Sequence, residues 1–256
     1  MIPVPTSPYA HTIFDLTAWL SGLGFSFVLY RWRLQAALED VASKVSRGYF
    51  VALTGGAVIG AWAAGSTNTF IGSRPVLAHS VVGALVGAII AVEAYKAARG
   101  IKGSTGRLFT GSFAVGVVIG RWGCLFAGLP DQTYGSPTKL PWGVNLGDGV
   151  ARHPVQVYES AAMAIYLALY LVGLARRSDW AVRRGFYVMC MWYGAQRFAW
   201  EFLKPYPKLI GPLNLFHLLC MGLVTYGCYY FLNDAHDQHR AQERALSLPR
   251  PDHQPV

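Results

Sequence analysis

The chain has 256 residues, of which 53% are hydrophobic and only 14% charged. This composition excludes a water-soluble globular domain and indicates a membrane protein. The formal net charge of +9 does not indicate nucleic-acid binding, because the basic residues fall in loops between apolar segments, where they act as topology signals and favour anionic membrane lipids.

Seven segments are long and apolar enough to cross a bilayer, which predicts an all-α integral membrane protein with seven transmembrane helices. They cover residues 13–30, 48–65, 76–95, 108–128, 155–175, 185–203 and 212–232. No basic residue precedes the first segment, so we expect no cleaved signal peptide. The prediction is a single membrane domain over residues 1–232 and a polar cytoplasmic tail over residues 233–256, disordered beyond a short helical extension.

The basic residues predict the orientation of these helices. Fifteen of the 22 lie in the tail and in the loops after the first, third and fifth segments, whereas five lie in the opposite loops. Because Lys and Arg accumulate on the cytoplasmic side, we expect the N-terminus outside and the C-terminus in the cytoplasm. The remaining two, Arg121 and Arg197, lie inside predicted helices.

Ionisable side chains at membrane depth are costly unless they meet a partner or a polar cavity, so they mark candidate functional residues. This chain has six in the outer halves of its segments: Asp15, His79, Arg121, Glu159, Arg197 and Glu201. Their common depth predicts one site that opens outward. Glu93 lies near the cytoplasmic end of its segment, and we expect its carboxylate to reach the interface by snorkelling.

Arg197 and Glu201 are four residues apart and therefore share one helix face, where they can form an ion pair. Such a pair could be purely structural, with each charge only neutralising the other. A pair of that kind could be replaced by apolar residues at no loss of stability, so its presence favours a functional role. Arg121 has no carboxylate within four residues on its own helix. Its partner is expected elsewhere in the fold or in an anionic ligand such as a lipid phosphate, the alternative being that Arg121 snorkels to the outer interface.

The third segment combines a histidine with closely spaced glycines. His79 is either a hydrogen-bonded helix contact or a base. Gly83 and Gly87 have the GxxxG spacing, which predicts a close approach to a neighbouring helix.

The cysteines show no CxxC spacing and lie within or at the edges of apolar segments. We expect them to be buried small apolar residues, neither a metal site nor a disulfide framework. They are Cys124, Cys190, Cys220 and Cys228.

The outer connection from Leu129 to Pro154 is too long for a simple turn and is not compositionally disordered, which predicts a functional loop. Pro154 is suited to the start of the next helix. His153 is therefore placed at the interface, and Tyr158 and Glu159 in the first turns of that helix.

Five segments together resemble one known family, the prolipoprotein diacylglyceryl transferases. They are an H-S-x-x-G segment at 79–83, "GRWGCLFAG" at 120–128, "YGSPTKLPWGV" at 134–144, "RHPVQVYES" at 152–160 and "RFAWEF" at 197–202. The resemblance implies an enzyme of the bacterial cytoplasmic membrane whose site faces outward. It would transfer diacylglycerol from phosphatidylglycerol to the lipobox cysteine thiol of a preprolipoprotein and release glycerol 1-phosphate, without a metal or cofactor.

The resemblance also implies roles for individual residues. Arg121 matches the arginine that contacts the phosphatidylglycerol phosphate, Arg197 and Glu201 match a catalytic pair, and His79 matches a proposed base. The matched outer segments add candidate substrate contacts at Tyr134, Gly135, His153, Tyr158 and Glu159.

The chain departs from the family pattern around the first arginine. Cys124 and Ala127 stand in the places of two asparagines, and Asp15 falls where the family has a catalytic tyrosine. Asp131, in a short insertion, is the substitute for a family glutamate and a candidate catalytic residue. These changes leave the acceptor less determined than the donor.

Two other functions therefore stay open. One is an enzyme of the same fold that uses a phosphatidylglycerol-like donor with another acceptor, such as a sugar, a lipid or water. The other is a non-catalytic lipid-binding membrane protein. A channel or secondary transporter is disfavoured because the sequence shows no internal repeat.

Overall fold

The computed structural model describes residues 1–42, 44–72 and 76–247 of the chain. The described part is predominantly helical. Its α-helices are α1 (Ala10–Leu29), α2 (Gln35–Ala42), α3 (Arg47–Ile71), α4 (Val81–Arg99), α5 (Thr110–Ala127), α6 (Val155–Ala175), α7 (Asp179–Val182), α8 (Gly185–Glu201) and α9 (Leu215–Ser247). A π-helical segment, Tyr30–Leu34, joins α1 to α2, and short 3₁₀ turns cover Gly106–Phe109 and Leu129–Asp131.

Six of the described helices are long and apolar enough to cross a membrane. They are the continuous helix Ala10–Glu39, then Arg47–Ile71, Val81–Arg99, Gly106–Ala127, Val155–Ala175 and Leu215–Asp234. The sixth predicted segment corresponds to α8, which has 17 residues and is shorter than these six. The structure thus confirms an all-α chain with at least six candidate spans.

The helices pack as neighbouring pairs around a core that α8 helps to form. α3 lies against α4, α1 against α5, α8 against α9, and α5 also contacts α6. Fully buried side chains of α6 and α8, including Met163, Tyr166, Met189 and Tyr193, occupy the centre. Although α8 is short, it is therefore an interior helix and not a surface one.

The predicted close approach through the GxxxG spacing is confirmed. A Cβ atom at Gly83 would lie 2.4 Å from the carbonyl oxygen of Gly60, and one at Gly87 would lie 2.2 Å from that of Gly56. Only glycine allows the backbones of α3 and α4 to meet at this distance.

The prediction that the third helix begins at residue 76 is wrong, because α4 begins at Val81. The preceding segment is bonded to α3 instead: Thr69 donates to the Val76 carbonyl at 2.5 Å, and the Ser80 amide donates to the Ala61 carbonyl at 3.1 Å. The Ser80 hydroxyl then caps α4 by accepting from the Gly83 amide. His79 consequently lies before the helix and not inside it.

The outer connection folds against the N-terminal segment and the end of α8. Strand β1 (Ile2–Pro3) pairs in parallel with β2 (Val144–Asn145), and the Ser136 amide donates to the Leu203 carbonyl at 2.6 Å. Gly135 is required here, since a Cβ would lie 2.3 Å from the His153 carbonyl oxygen. The loop is therefore ordered and joined to the helices that carry the charged residues.

Two further predictions concern the C-terminal tail and the cysteines. The last helix, α9, continues past residue 232 to Ser247, and residues 248–256 of the predicted tail lie outside the described residues. Cys124, Cys190 and Cys220 are buried as expected, but the prediction is wrong for Cys228, which is exposed on the outer face of α9.

Candidate functional site

Glu159 lies at the centre of a buried group of five charged side chains, which we call the charged cluster: Arg121, Glu159, Arg197, Glu201 and Lys204. Arg121 Nε lies 2.5 Å from Glu159 Oε2. Arg197 donates from one terminal nitrogen to both Glu159 oxygens at 2.9 and 3.0 Å, and Lys204 donates to Oε1 at 2.6 Å. One carboxylate therefore holds three cations that come from α5, α8 and the turn after α8.

Glu201 forms the second half of the charged cluster. Its Oε1 lies 2.8 Å from the other terminal nitrogen of Arg197 and 3.3 Å from Lys204 Nζ. Asn214, the residue before α9, donates from its side-chain amide to Oε2 at 3.2 Å. The same Asn214 side chain accepts from the His217 amide at 3.0 Å, so it caps α9 and joins that helix to Glu201.

All five members of the charged cluster are removed from water: both glutamates are 0% exposed, and Lys204 is 3% exposed. Burial and the nearby Arg197 charge lower the pKa of Lys204, although both glutamates act in the opposite direction. With all five groups ionised, three cations face two carboxylates, and one positive charge is left uncompensated. Such an excess is costly at depth unless an anion joins it.

These contacts decide two sequence predictions. The pair between Arg197 and Glu201 is confirmed. For Arg121 the sequence predicts a partner elsewhere in the fold or in an anionic ligand, and the structure shows a partner in the fold, because Glu159 of α6 lies against its guanidinium group.

Sequence reasoning missed two members of this region. Lys204 was counted among the loop residues, although its position three residues after Glu201 was a usable signal for an ion pair. Asn214 follows a long connection after α8, and no local pattern links it to Glu201.

A second polar group surrounds His11 at the start of α1. His11 Nδ1 lies 2.8 Å from Asp15 Oδ2, and Nε2 lies 2.8 Å from Asp131 Oδ1. Cys124 Sγ lies 3.9 Å from the same Nε2 and 3.8 Å from a terminal nitrogen of Arg121. Sequence reasoning named Asp15 and Asp131 but missed His11, although the four-residue spacing from His11 to Asp15 could have pointed to it.

The environment of Asp131 stabilises its ionised form. Burial disfavours the carboxylate, but hydrogen bonds from His11 and Thr133, together with the His11 and Arg121 charges, lower the pKa of Asp131 below its ordinary value of 3.8. Thr133 in turn lies 3.4 Å from the side-chain nitrogen of Gln156 on α6. The 3₁₀ turn that carries Asp131 is thus connected to both α1 and α6.

A cavity of about 1520 Å³ connects the two groups and extends along the helices. Five of the predicted site residues line it: Asp15, His79, Arg121, Asp131 and Arg197. Val81 and Glu93 also line it, and their separation of twelve positions along α4 corresponds to about 18 Å. The cavity therefore reaches through much of the thickness of a bilayer hydrocarbon core, which is about 30 Å.

The walls of the cavity are apolar between two polar ends. Small and apolar side chains of α1, α3 and α4, among them Ala18, Leu53, Ala57, Ala84 and Ala88, lie between the ends. At the far end Glu93 accepts from Tyr226 at 2.9 Å and from Lys96 at 2.9 Å. Glu93 therefore has specific partners inside the bundle, which the snorkelling interpretation did not foresee.

His79 lies at the polar end near α1. Its ring centroid is 5.8 Å from that of His11 and 5.9 Å from that of Trp62. The imidazole is thus held between α1 and α3 at the cavity wall, in a place where it can meet a ligand.

The other predicted site residues lie outside the cavity lining. Glu159 and Glu201 are located behind the two arginines. Tyr134 stacks with Arg152 at 5.2 Å, Gly135 packs on His153, and Tyr158 accepts from Trp142 at 2.8 Å. Tyr134, Gly135 and His153 of the loop and Tyr158 of α6 therefore support the loop and are not part of the cavity lining.

An all-α chain with at least six candidate spanning helices and a cavity lined by charged and apolar residues defines a multi-pass membrane protein with an internal site. The chain belongs to the prolipoprotein diacylglyceryl transferase family, whose model matches residues 17–233.

Individual relatives agree with this assignment. A protein of Solidesulfovibrio magneticus named phosphatidylglycerol–prolipoprotein diacylglyceryl transferase is 34% identical over 138 residues, which cover 50% of each chain. Proteins of the same name are 33% identical over 121 residues in Finegoldia magna, covering 47% of this chain and 46% of the relative, and 32% identical over 155 residues in Methylococcus capsulatus, covering 57% of each. The chain spans about half the length of the curated relatives it matches. No solved structure matches it.

Proposed function

We propose that the protein transfers a diacylglyceryl group from phosphatidylglycerol to the lipobox cysteine thiol of a preprolipoprotein and releases glycerol 1-phosphate. The observation that carries this proposal is the charged cluster, two of whose cations, Arg121 and Arg197, line the wall of an apolar cavity. Family membership and the names of the relatives supply the substrates.

The cavity suits the lipid donor. Its volume of about 1520 Å³ exceeds the roughly 300–1,000 Å³ usual for small-molecule sites, and its apolar walls fit acyl chains. Arg121 and Arg197 would bind the donor phosphate, since guanidinium groups pair well with phosphate oxygens.

The same arginines would stabilise the leaving group. Negative charge develops on the phosphate as the bond between the diacylglyceryl carbon and its oxygen breaks, and cations held in place beforehand lower the barrier to that step. Glu159 and Glu201 act as positioning residues, because their carboxylates fix both guanidinium groups without facing the cavity.

The acceptor thiol must lose its proton as its sulfur bonds to the diacylglyceryl carbon. We assign the base to His79, which lies at the cavity wall beside His11, because a histidine has a suitable ordinary pKa near 6.5. Asp131 and Asp15 hold His11 and so shape the same end of the cavity. Tyr134, Gly135, His153 and Tyr158 are proposed to hold the outer loop over this end.

We further propose a location in the bacterial cytoplasmic membrane with seven spanning helices, an outer N-terminus, a cytoplasmic C-terminus and an outward-facing site. The seventh span would be α8. Two observations support this arrangement: the basic residues concentrate in alternate loops, and the charged cluster joins the end of α5, the start of α6 and the end of α8, as expected of antiparallel neighbours.

The test is turnover by the full chain, purified in detergent, with phosphatidylglycerol and a lipobox peptide. Glycerol phosphate release and peptide mass are followed together. We expect a diacylglyceryl mass gain on the peptide cysteine, abolished in Arg121→Ala and retained in Arg183→Ala, a control at an exposed arginine that does not line the cavity. Thermal unfolding of both variants establishes that they are folded.

Other results would overturn the proposal in distinct ways. Glycerol phosphate release without peptide modification would indicate another acceptor or hydrolysis. Lipid binding without any release would indicate a non-catalytic protein. Unchanged lipid binding and turnover in Arg121→Ala would contradict the assignment of the donor phosphate to the arginines.

A further inference from the structure

The group around His11 combines three different metal-ligand types at one end of the cavity. His11 Nε2 lies 2.8 Å from Asp131 Oδ1 and 3.9 Å from Cys124 Sγ, and all three atoms lie within 4.8 Å of one another. They come from α1, from the last turn of α5 and from the 3₁₀ turn that follows it. Imidazole nitrogen, thiolate sulfur and carboxylate oxygen are the donors that Zn²⁺ uses in proteins.

Two neighbouring side chains contact these donors and hold them in place. Asp15 lies 2.8 Å from His11 Nδ1, the contact by which a carboxylate commonly orients a metal-binding histidine and leaves its Nε2 free to ligate. Arg121 Nη1 lies 3.8 Å from Cys124 Sγ, so the sulfur is held in place between His11 and the guanidinium group.

We propose that His11, Cys124 and Asp131 bind a Zn²⁺ ion at the end of the cavity. Three protein ligands leave one tetrahedral position for water or a ligand oxygen, and that position faces the cavity because all three residues line it. The ion would join the start of α1 to the end of α5. The site lies at the cavity end that also holds His79, but ion binding does not require the proposed transfer reaction.

Zinc binding at this place has a defined proton balance. Starting from a protonated His11 and a Cys124 thiol, the ion displaces the Nε2 proton that His11 shares with Asp131 and the thiol proton of Cys124. The Nδ1 proton stays on its hydrogen bond to Asp15. Two protons are therefore released for each ion bound, and no group is oxidised or reduced.

The test is a metal titration of the full chain, purified in detergent without a histidine tag and stripped with a chelator. Co²⁺ is added first and Zn²⁺ then displaces it. We expect about one tightly bound ion per chain, an absorption band from thiolate-to-cobalt charge transfer, and proton release in weak buffer. Histidines elsewhere in the chain cannot produce the sulfur band.

Matched variants locate the site. Cys124→Ser should lose the sulfur band, whereas Cys228→Ser, at the exposed cysteine of α9, should keep it. Asp15→Asn should weaken Zn²⁺ binding by roughly 10–100-fold, the usual effect of losing the carboxylate that orients a ligating histidine. Cys124→Asp should retain Zn²⁺ without the sulfur band, which shows that the fold survives a change at this position.

The proposal is overturned by either of two results. Absence of saturable binding in the wild-type chain would show that His11, Cys124 and Asp131 form no zinc site. A sulfur band that persists in Cys124→Ser would place the ion elsewhere.

Discussion

Glu159 is the residue on which the charged cluster most depends. It is 0% exposed and contacts three cations, whereas Glu201 contacts two and an amide. Loss of its charge would leave Arg121, Arg197 and Lys204 with one carboxylate between them, and a buried charge without its partner is strongly destabilising.

We therefore expect Glu159→Gln to lower the free energy of unfolding by about 3–5 kcal/mol. Glu201→Gln should have a smaller effect because fewer cations lose their partner. Thermal unfolding in detergent measures both, with Glu39→Gln on the exposed surface of α2 as the control. Equal midpoints for Glu159→Gln and the control would show that the three contacts do not stabilise the fold.

Asp131 makes stability depend on pH. Its pKa is lower in the folded chain than its ordinary value of 3.8, so its ionised form contributes stability above pH 3.8, and this contribution is lost as the pH falls through the lower, folded value. Asp131→Asn should be less stable than the wild type at neutral pH, and the difference should shrink in acid.

The measurement is the unfolding midpoint of the metal-free chain and of Asp131→Asn between neutral pH and about pH 3, a range that crosses the ordinary carboxyl pKa. Asp148→Asn, in the outer loop away from His11, is the matched control. A difference between Asp131→Asn and the wild type that stays constant across this range would contradict the pairing with His11.

At the residue scale, the sequence identified the important side chains more successfully than it identified the contacts between them. Depth and charge identified Arg121, Glu159, Arg197 and Glu201, because an ionisable group in an apolar segment is conspicuous. The partner of Arg121 lies 38 residues away on α6, and that of Asp131 lies on α1. Local spacing cannot specify such contacts between distant segments.

The pair formed by α3 and α4 shows how a short pattern can predict packing between elements. The GxxxG spacing predicted a close approach, and Gly60 is the residue of α3 that meets it: a Cβ there would lie 2.3 Å from the Gly83 carbonyl oxygen. By contrast, the start of α4 was predicted five residues early, because residues 76–80 are bonded to α3 and their apolar composition resembles that of a helix.

We expect Gly60→Ala to destabilise the protein by about 1–3 kcal/mol, the usual cost of adding atoms to a tightly packed site. Gly55→Ala provides a control on the same helix, since a Cβ there meets nothing within 4 Å; alanine should even favour the helix slightly at this position. Thermal unfolding in detergent compares the two variants. A midpoint for Gly60→Ala equal to that of Gly55→Ala would show that α3 and α4 can separate without cost.

At the scale of the whole molecule, the number of spanning helices decides the topology. Six helices in the described part of the chain satisfy the length and hydropathy of a span, and α8 has 17 residues. A 17-residue helix is about 26 Å long at 1.5 Å per residue, close to the hydrocarbon thickness of about 30 Å. Its central position against α6 and α9 further favours a spanning role.

Reporter fusions on either side of α8 test this topology. If α8 spans, a fusion after Arg177 and one after Leu209 lie on opposite sides of the membrane; if it does not, they lie on the same side. We expect a fluorescent protein to be active after Arg177 and alkaline phosphatase to be active after Leu209, because Arg176, Arg177, Arg183 and Arg184 place the first loop in the cytoplasm. Phosphatase activity at both positions, or at neither, would reject the seventh span. The reverse pattern would keep seven helices but turn the charged cluster and the cavity end near His11 toward the cytoplasm, which would contradict the proposed outward-facing site.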